Sequence, residues 1–401
     1  MQKTNDKTDS IIAVVLALLV YIPGSSIGNI LRLGVVVVVF VMKHMNEHAE
    51  PGIRKVALFM VLSPLISVLF VMMIEGFGIN WALVIHEIQR MLFCAFLLMT
   101  VAKLHISFRL IYIIAIIILI PNLIIQLLQR ANVNAVFTFI KKYYQSGVAD
   151  DQWTHLELAK EKGGNFRGGS IFINPNVYMS IPLMSMVIFL QKDKEKPSIW
   201  NYVLIGCAVF SAFLTGSRTA LIVIAVMMVW YIIKYAGTGS KVFLILAIGF
   251  VIYEFGAYIF ASRSARVLET GSFDVKINSF KWYWDSTKEV FIYWFTGAIG
   301  SKIATLVFDG EIGHIYGWLG LFGLYWYVLY YKSAFRYNRQ LKFYTLPLIA
   351  VHIFVAITSS VLLCMPVFPF AAVLIFSQLD NTTGISEVDY QNEVNQNSKY
   401  R

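Results

Sequence analysis

Residues 108–128 read FRLIYIIAIIILIPNLIIQLL, an almost unbroken apolar stretch. At about 1.5 Å per residue, a helix of this length crosses a hydrocarbon core of roughly 30 Å. Similar stretches recur along the chain, for example around Val35–Val41. Of the 401 residues, 58% are hydrophobic and only 14% are charged, and the mean hydropathy is +0.67. No soluble domain needs so much apolar surface, so the sequence predicts an all-α polytopic integral membrane protein, a single membrane domain over residues 1–401.

The apolar segments predict about twelve transmembrane helices. Their predicted bounds are 10–23, 28–42, 56–74, 82–102, 108–128, 176–190, 200–216, 218–233, 242–260, 313–330, 344–360 and 363–378. The first segment lacks a small-residue cleavage site, so we interpret it as a retained helix and not as a signal peptide.

The net charge of +10 is explained by topology, because the cations of the short connections fall on alternate connections. One set of short connections, with their flanks, holds Lys43, Arg54, Lys55, Lys103, Arg109, Lys192, Lys194, Lys196, Lys234, Lys241, Lys332, Arg336, Arg339 and Lys342. The other short connections, 24–27, 75–81 and 361–362, hold no lysine or arginine. Cytoplasmic connections are enriched in these residues, so both termini are expected in the cytoplasm, and the charge does not indicate a nucleic-acid partner.

Two long polar stretches, 130–175 and 261–312, fall on the outer side of this topology. The first contains Val133–Tyr144, whose apolar spacing predicts an amphipathic helix on the membrane surface, and a second short helix is expected over 150–162. The second stretch is rich in aromatic residues, which are expected either to anchor it at the membrane interface or to stack on sugar faces. The polar residues 379–401 are expected to form a cytoplasmic tail.

Three cysteines, Cys94, Cys207 and Cys364, lie inside apolar segments. Without paired spacing they are interpreted as small hydrophobic residues, and neither a metal nor another cofactor is expected.

The segment Leu214–Ile222 reads LTGSRTALI, in which an apolar helix ends, a Gly-Ser turn follows, and Arg218 opens the next apolar helix on the outer side. Thr215 or Ser217 is expected to cap that helix. A helix N-terminus and a guanidinium group together bind phosphate well. The alternative is that Arg218 extends to lipid headgroups.

Within this segment, Thr215–Leu221, together with Arg167-Gly168 running into Ile171–Asn176 and Asp309-Gly310-Glu311 leading into Ile315–Leu321, resembles the O-antigen polymerase and ligase superfamily of bacterial inner-membrane proteins. The resemblance implies a GT-C-like helical fold and an active site at the periplasmic face of the inner membrane. It also implies an undecaprenyl-diphosphate-linked oligosaccharide as substrate and a separate chain-length regulator as partner. In the implied reaction the lipid diphosphate leaves and a sugar hydroxyl of a second lipid-linked unit attacks.

The resemblance and the chemistry together suggest roles for particular residues. Cations must neutralise the leaving diphosphate, and a carboxylate or imidazole can accept the proton of the attacking hydroxyl. The expected catalytic residues are Arg218, Arg167, Asp309, Glu311 and His314. The expected substrate-binding residues are Arg263, Arg266, Lys281, Asn174, Asn176 and Ser217. For the acidic cluster the alternative is a solvated turn whose carboxylates favour a helix dipole.

Two details bear on which member of the superfamily the chain resembles. Ligases of the superfamily, as the resemblance implies, carry a histidine upstream of the late Gly-x-x-Gly, and the matching position here is Leu306. This difference favours the polymerase. The second loop has Lys281, or Lys276, where polymerases often have arginine, and lysine does not reproduce the bidentate geometry of arginine.

Two ionisable sites fall within predicted helices. His86, Glu87 and Arg90 are expected either to stabilise the bundle or to line a substrate cavity, and Arg32 is interpreted as extending to the interface. The competing functions are an O-antigen ligase, a flippase for the same lipid-linked unit, and a membrane scaffold without catalytic activity. The flippase is disfavoured because the polar residues are predicted to lie outside the spans.

Overall fold

The computed structural model describes residues 2–44, 50–144, 168–172, 175–195, 198–235, 272–301, 310–337, 342–359 and 362–379. Helices account for most of these residues. In chain order they are α1 (Gln2–Leu18), α2 (Ser26–His44), α3 (Pro51–Glu75), α4 (Trp81–Val101), α5 (Phe108–Arg130), α6 (Asn134–Tyr144), α7 (Pro175–Tyr178), α8 (Ser180–Glu195), α9 (Ile199–Leu214), α10 (Arg218–Tyr235), α11 (Ser272–Thr287), α12 (Ile292–Thr296), α13 (Glu311–Tyr337), α14 (Lys342–Thr358) and α15 (Phe368–Phe376). A 3₁₀ turn spans Leu19–Tyr21, and the short strands β1 (His105–Ile106) and β2 (Gln378–Leu379) pair in parallel.

Within the described ranges, four helices are long and apolar enough to cross a membrane: α2, α3, α4 and α5. Three shorter helices, α9, α10 and α14, also contain apolar runs. The predicted amphipathic helix over 133–144 is present as α6. The predicted helices over 150–162 and 242–260, and the tail beyond residue 379, lie outside the described residues. The number of spans and the GT-C-like fold stay predictions.

Burial follows the pattern of a bundle surrounded by apolar solvent. Every residue from Tyr178 to Leu190 is buried, and so is all of α15, which packs against α1 and α4. Large apolar side chains on the outer helices are instead exposed, with Ile27 80%, Met73 79% and Trp200 71% accessible. Leucine, isoleucine and valine face outward along α2 and α3 as well. Such a surface is stable in lipid, where an exposed apolar side chain carries no hydration cost.

Proline inside α5 shows how this bundle satisfies backbone groups that lose their helical partner. Pro121 has no N–H to donate to the carbonyl oxygen of Ile117. The Tyr21 hydroxyl donates to that oxygen at 2.8 Å instead. In lipid an unpaired carbonyl costs several kcal/mol, so a neighbouring side chain must replace the missing donor.

Hydrogen bonds and ion pairs form two separate sets of contacts between helix ends. At one set, Asp9 of α1 pairs with Lys43 of α2 and accepts a hydrogen bond from the His105 amide at 2.9 Å. At the other set, the Glu75 carboxylate accepts from the Tyr293 hydroxyl at 2.9 Å. These are the ends that the sequence analysis assigned to opposite sides. The side of the membrane on which each set lies stays a prediction.

The interpretation of Arg32 was wrong. This side chain is fully buried, and its guanidinium donates to the carbonyl oxygens of Leu19 and Ile22 and to the Asn29 side chain. These carbonyls lie where the first helical segment ends, and the Leu19 carbonyl also accepts from the Ile22 amide at 3.2 Å. The guanidinium supplies further donors and a positive charge at the negative end of a helix dipole. Arg32 is thus a helix cap between α1 and α2.

Helix α13 is interrupted at Gly320, where the sequence predicted one continuous span. Gly320 has φ 61° and ψ −154°, which separates a first half-helix from a second one. The Gly317 carbonyl accepts from the Ala298 amide at 3.1 Å, and the Trp318 carbonyl accepts from the Ser67 hydroxyl at 3.0 Å. Irregular backbone is tolerated at membrane depth only where protein surrounds it, and α3 and the segment after α12 provide that cover.

Candidate functional site

The turn between α9 and α10 carries the first predicted site residues. Gly216 has φ 58°, a conformation that glycine adopts without strain, and it reverses the chain before α10 begins at Arg218. The Thr215 hydroxyl donates to the Ala212 carbonyl at 2.6 Å and accepts from the Ser217 amide at 3.2 Å. These bonds fix the turn from inside.

The Ser217 hydroxyl, predicted to bind substrate or to cap α10, donates to the Met179 sulfur at 3.0 Å. Ser217 is also buried. In this arrangement the hydroxyl packs the turn against the start of α8. For Arg218 the structure gives the backbone position, the first residue of α10, and Arg167 lies outside the described residues.

A short segment, Gly168–Phe172, lies against the same turn. The Gly168 amide donates to the Leu214 carbonyl at 2.9 Å, at the end of α9. Gly168 belongs to one of the three stretches on which the family resemblance rests, and Leu214 lies next to another. Leu214 is followed directly by Thr215–Leu221, so the two stretches meet at one end of the bundle although they are distant in sequence.

A second candidate region is a buried charged cluster shared by α4 and the first half of α13. Glu87 is fully buried, and its carboxylate lies 3.0 Å from the Arg90 guanidinium and 3.9 Å from His314 Nε2. Arg90 also reaches His314 Nε2 at 3.2 Å and His86 Nδ1 at 3.3 Å. Trp318 packs on the His314 ring at 3.8 Å and lies 5.9 Å from the guanidinium.

The chemistry of arginine fixes the proton positions in this cluster. A guanidinium group only donates, so each ring nitrogen facing Arg90 accepts with its lone pair. Glu87 is the carboxylate that balances the guanidinium charge. Sequence reasoning noted His86 and Arg90 on one face of a helix but did not connect them with His314, which is far away in sequence.

Glu311, predicted as a catalytic base, is fully buried and already bonded. Its carboxylate accepts from the Tyr327 hydroxyl at 2.7 Å and from the Leu362 amide at 2.7 Å, and His352 Nε2 lies 3.7 Å away. The Glu311 amide donates to the Ser359 carbonyl at 3.0 Å. The expected alternative of a solvated turn was wrong at Glu311, which instead joins the start of α13 to the segment between α14 and α15.

The remaining predicted residues are dispersed or lie beyond the described ranges. Arg263, Arg266, Asn174 and Asp309 lie outside the described residues. Asn176 is half-buried in α7, and Lys281 is exposed on α11. The structure therefore brings Glu311 and His314 to one end of α13 and does not bring Lys281 to them.

The second long stretch, predicted as an aromatic-rich loop, contains the helices α11 and α12. Trp284 and Trp294 stack with ring centroids 4.1 Å apart, and Phe291 packs edge-on against Trp294. The Tyr293 hydroxyl is buried between this region and α3, and burial, together with the Glu75 carboxylate that it bonds, raises its pKa. Trp282 and Trp284 remain exposed, so both expectations for the aromatic residues, interface anchoring and sugar stacking, stay predictions.

Within the described ranges, no group of three or more histidine, cysteine, aspartate or glutamate residues is arranged to hold a metal ion. Comparisons with protein-family models, with curated proteins and with solved structures find no match to this chain.

Proposed function

We propose that this protein polymerises undecaprenyl-diphosphate-linked oligosaccharide repeat units into O-antigen or a related surface polysaccharide. The observation that carries the proposal is the hydrogen bond between the Gly168 amide and the Leu214 carbonyl. It holds Gly168, which belongs to one motif stretch of the resemblance, against the residue that directly precedes another, Thr215–Leu221, at the turn where α10 begins with Arg218. A guanidinium group at the N-terminus of an apolar helix suits a diphosphate at the membrane surface.

The proposed reaction is a glycosyl transfer between two lipid-linked units. The oxygen of an acceptor sugar hydroxyl forms a bond to the anomeric carbon of the growing glycan, and the bond from that carbon to the lipid diphosphate breaks. Arg218 stabilises the charge of the departing diphosphate. The hydroxyl proton passes to a base, for which Asp309, Glu311 and His314 are the candidates. The Glu311 carboxylate is already bonded to Tyr327 and to a backbone amide, and His314 Nε2 lies 3.2 Å from the Arg90 guanidinium.

The topology supports an outer-face active site in a bacterial inner membrane. In the predicted topology the turn at Leu214–Arg218 lies on the same side as the connections 24–27, 75–81 and 361–362, which hold no lysine or arginine. The connections at the other ends hold the cationic residues that favour the cytoplasm. Both termini are then cytoplasmic, and the two long stretches are periplasmic.

A flippase for the same lipid-linked unit is the second candidate, and two observations favour it. Transporters often contain broken helices and buried ionisable residues. Helix α13 is broken at Gly320, and Glu87, Arg90 and His314 form a buried charged cluster near the first half of that helix. The sequence analysis had disfavoured this alternative because it placed the polar residues outside the spans.

Deletion of the gene in its own host, followed by gel analysis of the surface lipopolysaccharide, separates these functions. A polymerase leaves lipid A-core bearing one repeat unit and removes the ladder. Loss of the single unit as well points to the ligase or the flippase. Lipid-linked units then accumulate on the periplasmic side for the ligase and on the cytoplasmic side for the flippase.

Arg218 supplies the test at the level of one residue. Complementation with Arg218→Ala is expected to leave the ladder absent while the protein still inserts into the membrane. Arg218→Lys is expected to restore little, since a lysine has no planar fork for two phosphate oxygens. A normal ladder from Arg218→Ala would show that the proposed phosphate role is wrong.

A further inference from the structure

Three carboxamide side chains form a row on one face of α5. Asn122, Gln126 and Gln129 are spaced four and three residues apart, which places them on the same side of the helix. All three are buried. Polar side chains are costly inside a membrane helix, so a row of three indicates a specific purpose that leucine could not serve.

Gln129 and Asn122 hold the segment Gly168–Phe172 through Ser170. Gln129 makes two bonds to the backbone of Ser170, donating to its carbonyl at 2.8 Å and accepting from its amide at 3.1 Å. The Ser170 hydroxyl donates to Asn122 Oδ1 at 2.6 Å. Ser170 has φ 55°, a conformation uncommon for a residue other than glycine, and these three bonds stabilise it.

Gln126 connects the same segment with the end of α9. Its amide nitrogen donates to the Gly168 carbonyl at 2.8 Å and to the Ser211 carbonyl at 3.3 Å, and its oxygen accepts from the Ser211 hydroxyl at 2.7 Å. Tyr178 bonds to the same Ser211 hydroxyl at 2.8 Å. Two carbonyls in the last turn of α9 therefore accept hydrogen bonds from outside the helix. The Ser211 carbonyl accepts from Gln126, and the Leu214 carbonyl accepts from the Gly168 amide.

We propose that Asn122, Gln126 and Gln129 are positioning residues that hold the end of α9, and through it the turn that delivers Arg218 to the lipid diphosphate. The inference rests on the proposed function. Gln126 and Gln129 bond to backbone atoms of the segment and of α9, and Asn122 bonds to the Ser170 hydroxyl, so the three carboxamides fix the course of the chain. They act on the diphosphate only through Arg218.

The chain offers a matched control at the opposite end of the same two helices. Asn201, near the start of α9, is also buried and accepts a hydrogen bond from the Tyr112 hydroxyl of α5 at 2.8 Å. Asn201→Leu therefore removes a buried carboxamide between α5 and α9 without touching the turn. It reports what the loss of a polar contact between these helices does by itself.

The experiment measures binding of undecaprenyl diphosphate to the full-length protein in detergent. Gln126→Leu is expected to weaken binding about tenfold, a size typical of residues coupled in one network. In a protein that already carries Arg218→Ala, adding Gln126→Leu is expected to cause no further loss of affinity. Asn201→Leu is expected to leave the affinity unchanged. Gln129→Met, which removes the two bonds to Ser170 and leaves Gln126 in place, is the second variant if Gln126→Leu does not fold.

Hydrogen exchange of the Gly168 amide gives a structural readout that does not depend on function. Its bond to Leu214 is expected to protect it in the wild type and in Asn201→Leu, but not in Gln126→Leu. Three results would each overturn the positioning role. The first is an equal loss of affinity from Gln126→Leu in the wild-type and Arg218→Ala backgrounds, the second is a loss from Asn201→Leu as large as that from Gln126→Leu, and the third is a Gly168 amide that stays protected in Gln126→Leu. If Arg218→Ala alone binds normally while Gln126→Leu loses protection, the proposed function fails instead, and the carboxamides merely hold the turn.

Discussion

Gly320→Ala tests the break in α13 most directly. The residue has φ 61° and ψ −154°, a region that only glycine enters readily and that costs other residues about 1–3 kcal/mol. A Cβ atom there would overlap the carbonyl group of Phe295 and would lie 2.5 Å from the Gly297 nitrogen. These are backbone atoms that cannot rotate away, and relieving the overlap adds a further cost of about 1–3 kcal/mol.

The expected total, about 2–6 kcal/mol, should lower the apparent unfolding temperature of this 401-residue chain by about 2–7 °C. Cys94 is fully buried, so its reaction with a thiol-specific fluorophore during heating in detergent reports unfolding. Gly206→Ala in α9 is the control, because a Cβ there meets no atom within 4 Å and alanine favours a helix. If Gly320→Ala and Gly206→Ala had the same apparent unfolding temperature, α13 would not be broken as described.

Two further predictions use the same melting assay. Arg90→Leu leaves the Glu87 carboxylate buried without its cation and is expected to cost about 3–5 kcal/mol of stability. Leucine at both Glu87 and Arg90 should recover much of that loss. A double variant that is less stable than Arg90→Leu would contradict the ion pair. Ser67→Ala removes both hydrogen bonds that its hydroxyl makes near the break and is expected to cost about 1–3 kcal/mol of stability. Ser63→Ala removes a single acceptor and is expected to cost less. Equal unfolding temperatures of the two variants would refute this order.

The helices could be predicted from sequence because length and hydropathy are local properties. Residues 108–128 were predicted as a helix, and α5 spans Phe108–Arg130. The break in α13 could not be predicted, because its glycines at 313, 317, 320 and 323 look alike in sequence and glycine is common in membrane helices. What singles out Gly320 is the backbone of Phe295 and Gly297 packed against it, a tertiary contact.

In the candidate site, too, local features could be predicted from sequence and tertiary contacts could not. Arg218 was recognised from its position between two apolar runs, and its place at the start of α10 agrees with that prediction. The partnership of Arg90 with His314 joins helices that are far apart in the chain, and no local pattern indicates it. The burial of Glu311 was missed for a related reason, since the groups that bond its carboxylate come from the second half of α13 and from the segment before α15.

The placement of α15 has a consequence for biosynthesis. Phe368–Phe376 is too short to cross a bilayer by itself, yet it is wholly buried and packs against α1 and α4. During translation those early helices enter the membrane long before their late partner exists. Lipid covers their apolar faces in the meantime, and the bundle can close only after residue 376 has left the ribosome.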